Sequence, residues 1–475
     1  MFVTDSTPYS SPVCSAAAGD ALRTAVRPRR NTANSSISQV SHNKVNNAIR
    51  KSFRLTLIRH PTPQAPSNDI LVKTGGVGGA LRKSSSLPRF GLLCLGLFCL
   101  LCLPASPAHA QDAPVYRLDP SWPQELPNRW ITGNIHGVAV DKDDHVWILS
   151  SPRTVPADQA GATQTPPRSA CCVPAPTVIE FDTAGRVLKS WGGSGFPTDS
   201  PIPDWPTDEH GLWIDKQGNV WIAGNWFAQF SFTPGQPPDP ALPWDRQVLK
   251  LSNDGNPLLE IGHPTREPAN NQNTSFLGAP DTMTVDDAAH EVYIADGAMN
   301  RRVVVYDSNT GAFKRGWGAY GMPLSEIENG QPAAYDQANP PSKQFRGPIN
   351  CVAISVDALV YICDRGNDRI QVFTKDGKFV KEFIVRAETL GTGSTWSVAF
   401  SHDPKQKYLL VGDGENGVVW ILDRDTGVVV APFGRKGHNA GQFDVLQSLA
   451  MDSRGNLYTG EVAPNSRVQK FILTK

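Results

Sequence analysis

The sequence predicts an all-β fold, namely a six-bladed β-propeller of four-stranded antiparallel blades. One hairpin pattern occurs six times, and its clearest copy, HGLWIDKQGNVWIAGN from His210, places a tight turn between two apolar strands. A second apolar hairpin follows, as in RIQVFTKDGKFVKEF from Arg369, which makes four strands per unit. Such units bury their apolar faces only against neighbouring units, so the repeat predicts a closed ring of blades.

One position of the repeat, directly before the innermost strand of each blade, holds a set of residues suited to binding. We call them the entry residues: His136, His210, Asp281, Asn350, Trp396 and Gln447. The residue that follows each of them is small: Gly137, Gly211, Thr282, Cys351, Ser397 and Ser448. Small residues are expected where six strands crowd around one axis, so the entry residues should converge on the mouth of a central channel.

Charge is distributed unevenly along the 475 residues. The whole chain has 45 basic and 45 acidic side chains, but residues 1–110 contain 13 Lys or Arg and only 3 Asp. The remaining residues therefore carry 32 basic and 42 acidic groups, a net charge of −10. Because phosphate binding needs a basic surface, this balance argues against a nucleic-acid partner.

A short apolar run, FGLLCLGLFCLLCL at 90–103, has the surroundings of a signal peptide. It follows basic residues within 82–89 and precedes an A-x-A motif at 108–110. At 14 residues it is short for a membrane span. We expect cleavage near Ala110 and a mature chain, 111–475, that is secreted or periplasmic and has no membrane span.

Residues 1–89 are rich in Ser, Asn, Pro and Arg and have no useful periodicity. We expect them to be a disordered segment or a misannotated extension upstream of the true start codon. Val72, Val77 and Leu81 are candidate alternative starts, because bacterial start codons can be those of Val or Leu.

The mature chain begins with a lone strand, predicted at 115–118, whereas the sixth blade ends at 468–473 with only three strands. We expect the N-terminal strand to complete the sixth blade. This pairing closes the ring non-covalently and removes two open strand edges.

Three insertions interrupt the blades, at 151–176, 226–247 and 318–347. The first two separate second from third strands, and the last joins blade 3 to blade 4. In an up-and-down blade these loops emerge on the face that also bears the entry residues. Long loops around a channel on a rigid scaffold favour a binding site there.

His136, His210 and Asp281 occupy three consecutive entry positions. Two imidazoles and a carboxylate could bind zinc or another divalent metal with coordination positions left open. The alternative is a hydrogen-bonded polar ring that holds channel water without a metal. The sequence itself requires no cofactor.

The entry position, together with four other stretches, resembles the peptidyl-α-hydroxyglycine α-amidating lyases, which are six-bladed NHL-repeat propellers. The stretches are DPSWPQ from Asp119, EHGLWIDKQGNVWIAGN from Glu209, ADGAMNRRVVVYD from Ala295 and CDRGNDRIQVFTKDGKFVKEF from Cys363. The D-x-x-N-x-R form in the last stretch is general to NHL repeats, and the resemblance implies structural roles for three arginines: Arg302, Arg369 and Arg467.

The resemblance also implies a site, from which this chain departs. Zinc in that family is held by three histidines, and the matching positions here are His210, Asn350 and Gln447. The family's substrate tyrosine corresponds to Ala298, and its calcium-ligating acid to Ser448. One family arginine persists, at Arg365. The resemblance therefore predicts the fold, whereas the substitutions predict that ordinary amidating-lyase activity is absent.

Four of the eight cysteines lie in the mature chain, where export would favour disulfides. Cys351 and Cys363 are equidistant from Asp357 in the turn of blade 4, so they should face each other across the strand pair and form a disulfide. Cys171 and Cys172 are neighbours in the first insertion, where either a vicinal disulfide or two thiols is compatible with the sequence.

We expect an exported, monomeric propeller that binds a small polar or peptide-like ligand at the channel mouth. The residues expected to contact this ligand are His136, His210, Asp281, Asn350, Arg365, Trp396 and Gln447. One alternative is a metal-dependent lyase or hydrolase that uses His136, His210 and Asp281. The other is a non-catalytic scaffold for a protein partner. No catalytic residue can be assigned, and no serine-hydrolase, phosphate-loop or dinucleotide motif occurs in a suitable context.

Overall fold

The computed structural model describes residues 113–193, 205–225, 243–330, 332–338 and 342–475. These residues form six four-stranded antiparallel sheets and one two-stranded sheet, and each four-stranded sheet follows the chain order apart from the closing strand described below. The predicted six-bladed propeller is thereby confirmed. The predictions for the extension at 1–89 and the signal peptide at 90–110 fall outside the described residues.

Each blade runs from an innermost strand at the channel to an outermost strand at the rim. Blade 1 consists of Asn134–Val140, Val146–Ser151, Val178–Phe181 and Val187–Trp191. Blade 2 consists of Glu209–Ile214, Val220–Gly224, Gln247–Leu251 and Pro257–Gly262. Blade 3 consists of Met283–Asp286, Glu291–Asp296, Arg302–Asp307 and Phe313–Trp317. Blade 4 consists of Ile349–Ile354, Leu359–Asp364, Arg369–Thr374 and Phe379–Ile384. Blade 5 consists of Ser397–Phe400, Tyr408–Asp413, Val418–Asp423 and Val429–Phe433. Blade 6 consists of Val445–Met451, Leu457–Val462, Val468–Leu473 and the N-terminal strand Tyr116–Leu118.

The N-terminal strand closes the ring as predicted. Tyr116–Leu118 pairs antiparallel with Val468–Leu473, and Tyr116 lies opposite Leu473. The pairing extends one residue further, because the backbone N–H of Thr474 donates to the carbonyl of Val115 at 2.8 Å. Blade 6 therefore has four strands, and the outer edge of its third strand is covered.

The apolar core lies between the blades. Six clusters of buried side chains occur in the described residues, and each draws on two adjacent blades. Trp147 of blade 1, for example, is fully buried in the cluster shared with blade 2. Blade-to-blade packing is therefore the main source of burial, as the two-faced apolar strands predict.

The insertions add short elements. In the first, Val173–Pro174 pairs in parallel with Trp130–Ile131, which precedes the innermost strand of blade 1. Six 3₁₀ turns are described, at Pro127–Arg129, Pro152–Thr154, Gly161–Thr163, Ala319–Gly321, Leu324–Glu326 and Arg365–Asn367. Most of the second insertion, 226–242, is outside the described residues. Among the described helices, none has the length and apolar character needed to cross a membrane.

Both candidate cysteine pairs are joined by disulfides in the structure. Cys351 and Cys363 lie opposite each other in the register of blade 4, with their Cα atoms 4.9 Å apart, and a disulfide connects them. The cross-strand disulfide is thus confirmed. Cys171 and Cys172 also form a disulfide, so the structure favours the oxidised alternative for this pair.

Candidate functional site

Entry residues in four blades sit at irregularities of strand pairing. The register of the first strand pair shifts at His136, at Asn350 and at Gln447, and in blade 2 it shifts between His210 and Leu212. A bulge leaves one residue out of the ladder and re-aims its side chain. These strands begin one or more residues earlier than the sequence predicted, so the entry residues of blades 1, 2, 4 and 6 lie within the strands.

The crowding predicted after the entry position is present. A Cβ atom on Gly137 would lie 2.5 Å from Cβ of Leu212 in the next blade. Gly211 has a φ of +56°, and a Cβ there would collide with the backbone carbonyl oxygen of Asp281. Glycine at these two positions lets adjacent innermost strands approach closely enough for His210 to reach blade 3.

A channel cavity of about 340 Å³ runs along the innermost strands. His136, Asn350 and Gln447 line it together with small residues such as Ser397 and Ser448. Further along, its walls are formed by apolar side chains, including Ile214, Ile354 and Met451. The cavity therefore has a polar end at the entry residues and a largely apolar body.

His210 is buried and paired with Asp281 of the neighbouring blade. Its Nδ1 lies 2.9 Å from Asp281 Oδ1 and hydrogen-bonds to the Asp281 carbonyl oxygen at 3.1 Å. Burial lowers the pKa of His210, but the nearby Asp281 and Asp208 together outweigh burial and raise the pKa to about 9. His210 is therefore an imidazolium at neutral pH, and its Nε2 lies 3.5 Å from Gln447 Nε2.

His136 occupies the equivalent position in blade 1 but has a different environment. Its ring centroid is 4.6 Å from that of His210, and neither of its buried nitrogens has a hydrogen-bond partner among the described residues. Burial, followed by the charge on His210, holds the pKa of His136 well below its usual range. His136 is therefore a neutral imidazole beside a charged one.

Asp208 is a site residue that sequence reasoning missed. Its Oδ1 lies 4.0 Å from His136 Nε2, and burial raises its pKa to about 6 while His210 opposes the shift. It lies two residues before the entry position of blade 2, where no other copy has an equivalent acid. The sequence feature that could have identified Asp208 is an acidic residue present in only one copy of the repeat.

Arg365 and Trp396 stack on each other, and like His210 and Asp281 they are not among the residues that line the channel cavity. The guanidinium carbon of Arg365 lies 4.0 Å from the ring centroid of Trp396, a close cation–π contact. Arg365 Nε is buried without a hydrogen-bond partner, and burial lowers the Arg365 pKa to about 10 against the pull of Asp281. Both side-chain polar atoms of Asn350 are likewise buried and unpartnered within the described residues.

Comparisons with known proteins agree with this architecture. No protein-family model matches the chain. Over 362 residues, 72% of this chain, it is 25% identical to peptidyl-glycine alpha-amidating monooxygenase B of Xenopus laevis. Over 377 residues, 76% of this chain, it is also 25% identical to NHL repeat-containing protein 3 of Mus musculus, and the match covers 85% of that protein.

The chain is a β-propeller related to NHL-repeat proteins and amidating enzymes. It spans about a third of the length of the Xenopus relatives, 34% of form B and 32% of form A.

The arginines of the NHL motif are structural in this propeller. Arg302 is fully buried and donates from Nε to Asp296 at 2.7 Å, and Arg369 donates to Asp364 at 2.8 Å. Each also donates to backbone carbonyls of the loop that enters its blade. Arg467 repeats the arrangement with Glu461 at 2.8 Å. These acidic partners are thus occupied by structural contacts.

The three-histidine zinc set implied by the relationship does not fit this NHL-type propeller. Two of its positions are the amides Asn350 and Gln447, which are poor zinc ligands. The third position, His210, has its Nδ1 2.9 Å from Asp281 Oδ1. A metal at His136, His210 and Asp281 stays a prediction.

Proposed function

We propose that the chain is an exported NHL-type propeller that binds a small polar or peptide-like ligand at the channel mouth. One observation carries the proposal: several buried polar atoms of the entry residues and their neighbours have no hydrogen-bond partner in the described part of the chain. They are His136 Nδ1 and Nε2, Asn350 Oδ1 and Nδ2, Arg365 Nε, Ser397 Oγ and Ser448 Oγ. Each buried polar group without a partner costs about 1–3 kcal/mol. A ligand that forms hydrogen bonds with several of these groups removes that cost and therefore binds more tightly.

Charge at the mouth favours a ligand with an anionic end. His210 and Arg365 are cationic, and Asp281 is the carboxylate closest to His210. Arg365 stacks on Trp396 and has no carboxylate within 4.0 Å among the described ion pairs. A guanidinium so placed suits the carboxylate of a small peptide-like molecule.

Amidating-lyase activity is not part of this proposal. The amidating monooxygenases of Xenopus laevis are matched over only about a third of their length, and the residues here at the lyase family's histidine positions include two amides. The metal-dependent alternative through His136, His210 and Asp281 and the protein-interaction alternative are separate hypotheses. A monomeric state is proposed from the closed ring alone, in which each blade packs both faces against neighbouring blades.

The binding proposal is tested with short peptides in pairs that differ only in a free or amidated C-terminus. We expect the free carboxylate form to raise the melting temperature of the protein more than the amidated form does. Arg365→Gln should remove that difference. Arg386→Gln is the matched control, because Arg386 stacks on Trp420 at 4.9 Å in a different place and is half exposed.

Equal responses to free and amidated peptides, or equal loss in both arginine variants, would contradict carboxylate recognition at the mouth. The activity part is tested separately with an α-hydroxyglycine peptide in the presence of added zinc. Robust release of glyoxylate by the wild-type protein would overturn the proposed absence of lyase activity.

A further inference from the structure

Blade 1 departs from its sister blades at the turn between its first two strands. In blade 2 the turn begins at Asp215, and the amide of Asn219 donates to Asp215 Oδ2 at 2.9 Å. The same residue types make the same bond in blade 6 at 2.8 Å. Blade 1 keeps the aspartate, Asp141, but has His145 in place of the asparagine. His145 Nδ1 lies 3.8 Å from Asp141 Oδ2, too far for that hydrogen bond.

A second change accompanies the first on the third strand of blade 1. In blade 2, Lys250 lies opposite Trp221, and its Nζ is 3.7 Å from Asp215 Oδ2. Blade 6 also has a lysine at this register position. In blade 1 the residue opposite Trp147 is Glu180. Where blades 2 and 6 have a lysine, blade 1 therefore has a second carboxylate, Glu180, next to the retained Asp141.

The three changed or retained groups lie together. One donor atom from each of Asp141, His145 and Glu180 falls within 4.8 Å of the others. His145 Nδ1 is 2.8 Å from Glu180 Oε1 and 3.8 Å from Asp141 Oδ2. Donors bound tetrahedrally to one metal ion at ordinary zinc distances are about 3.4 Å apart, a value between these two separations.

Glu180 has binding capacity that the protein does not use. Its side chain is 6% exposed, and its Oε2 has no hydrogen-bond partner in the structure. Asp141 Oδ2 accepts a hydrogen bond from Trp147 Nε1 at 2.9 Å, which fixes the carboxylate and leaves a second lone pair. The His145 side chain is 32% exposed, so an ion can enter from solvent on that side.

We propose that Asp141, His145 and Glu180 form a binding site for a divalent transition-metal ion such as zinc. One nitrogen and two oxygen donors suit such an ion, and solvent can supply a fourth ligand. The ion would replace the positive charge that Lys250 provides in blade 2. It would bind at the seam where the ring closes, since Asp144 in the same turn accepts a hydrogen bond from Ser453 Oγ of blade 6 at 2.6 Å.

The test uses the full chain, freed of metal by a chelator and titrated with zinc chloride at neutral pH. Calorimetric titration gives the number of zinc ions bound, and thermal unfolding gives the shift in melting temperature. The informative variant is the double change His145→Asn with Glu180→Lys, which installs the residues of blade 2. His402→Asn is the matched control, because it removes an exposed histidine from the equivalent turn region of blade 5.

We expect the double variant to bind one zinc ion fewer than the wild type and to lose most of the zinc-induced rise in melting temperature. His402→Asn should keep both. Glu180→Gln alone should weaken zinc binding at this site at least tenfold, because it removes the charged donor while preserving shape. Cobalt added in place of zinc should give visible absorption bands that the double variant lacks.

Two results would overturn the proposal. In the first, zinc stoichiometry and the melting shift are the same in wild type and in a double variant whose circular dichroism is native. In the second, the wild type binds no zinc that depends on His145. That outcome assigns the cluster to a metal-free hydrogen bond between His145 Nδ1 and Glu180 Oε1.

Discussion

Trp122 is placed to hold the ring together where the chain ends meet. Its side chain is 5% exposed and packs between Phe181 of blade 1 and Tyr458 of blade 6, with ring centroids 5.5 and 4.9 Å away. It also covers Gly185, where a Cβ would lie 2.7 Å from Trp122 Cδ1. One side chain thus contacts both blades across the non-covalent seam.

The interfaces between blades 1 and 2 and between blades 3 and 4 have the same kind of contact. A Cβ on Gly255 of blade 2 would lie 2.8 Å from Trp191 of blade 1, and one on Gly377 of blade 4 would lie 2.7 Å from Trp317 of blade 3. In each case an aromatic ring from one blade covers a turn glycine of the next. Trp122 supplies this contact where the preceding blade is completed by the N-terminal strand.

Trp122→Ala should lower the free energy of unfolding by about 3–5 kcal/mol, the usual cost of truncating a buried tryptophan. For a propeller of this size the melting temperature should fall by roughly 4–7 °C. Trp122→Phe should cost less, about 1–2 kcal/mol. It keeps an aromatic ring and removes an indole Nε1 that is buried without a partner in the described structure.

Circular dichroism during thermal and urea unfolding measures both variants without relying on tryptophan fluorescence. Val115→Ala serves as the control, because Val115 is 50% exposed and its loss should change stability by less than about 0.5 kcal/mol. The reasoning is refuted if Trp122→Ala unfolds at the same urea concentration as Val115→Ala. If Trp122→Ala and Trp122→Phe lose the same amount of unfolding free energy, the aromatic ring does not provide the stabilising contact between blades 1 and 6.

Three further predictions concern the axis of the propeller. Because its folded pKa is raised, His210 contributes stability that is fully present below pH 6.5 and is lost as pH rises through about 9. Urea unfolding should therefore show the wild type losing about 2–3 kcal/mol between pH 7 and pH 10, and His210→Gln losing far less. Gly211→Ala should destabilise the protein by at least about 1 kcal/mol, because φ is +56° and the new Cβ meets Asp281 in blade 3; an unchanged melting temperature would contradict this. Non-reducing peptide mapping should recover Cys351 joined to Cys363, and replacing both by serine should cost about 2–4 kcal/mol; free thiols there would refute the pairing.

The ring could be predicted because two local signals repeat. Alternating apolar residues define the strand faces, and turn residues define where each hairpin reverses. The same logic predicted Cys351 opposite Cys363, since residues equidistant from a turn must meet in an antiparallel pair. Closure followed from a count, because a lone strand at one end matched a missing strand at the other.

The detailed geometry of the site could not be predicted in the same way. The bulges at His136, Asn350 and Gln447 displace the pairing by one residue, and nothing in the alternating pattern marks them. The cluster at Asp141, His145 and Glu180 was also missed. Its signal was present, since His145 stands where blades 2 and 6 have asparagine, but the third donor comes from another strand.

The two histidines at the mouth show why equivalent positions need not have equivalent chemistry. His210 is the entry residue of blade 2 and pairs with Asp281 of blade 3, so its imidazolium form is stabilised. His136 meets His210 instead, and burial, followed by the charge on that neighbour, favours the neutral form of His136. Much of the difference arises from the residue that the next blade presents, Asp281 for His210 and His210 for His136. In a propeller, the protonation state of an entry residue is therefore a property of a seam, and the repeat to which the residue belongs does not determine it.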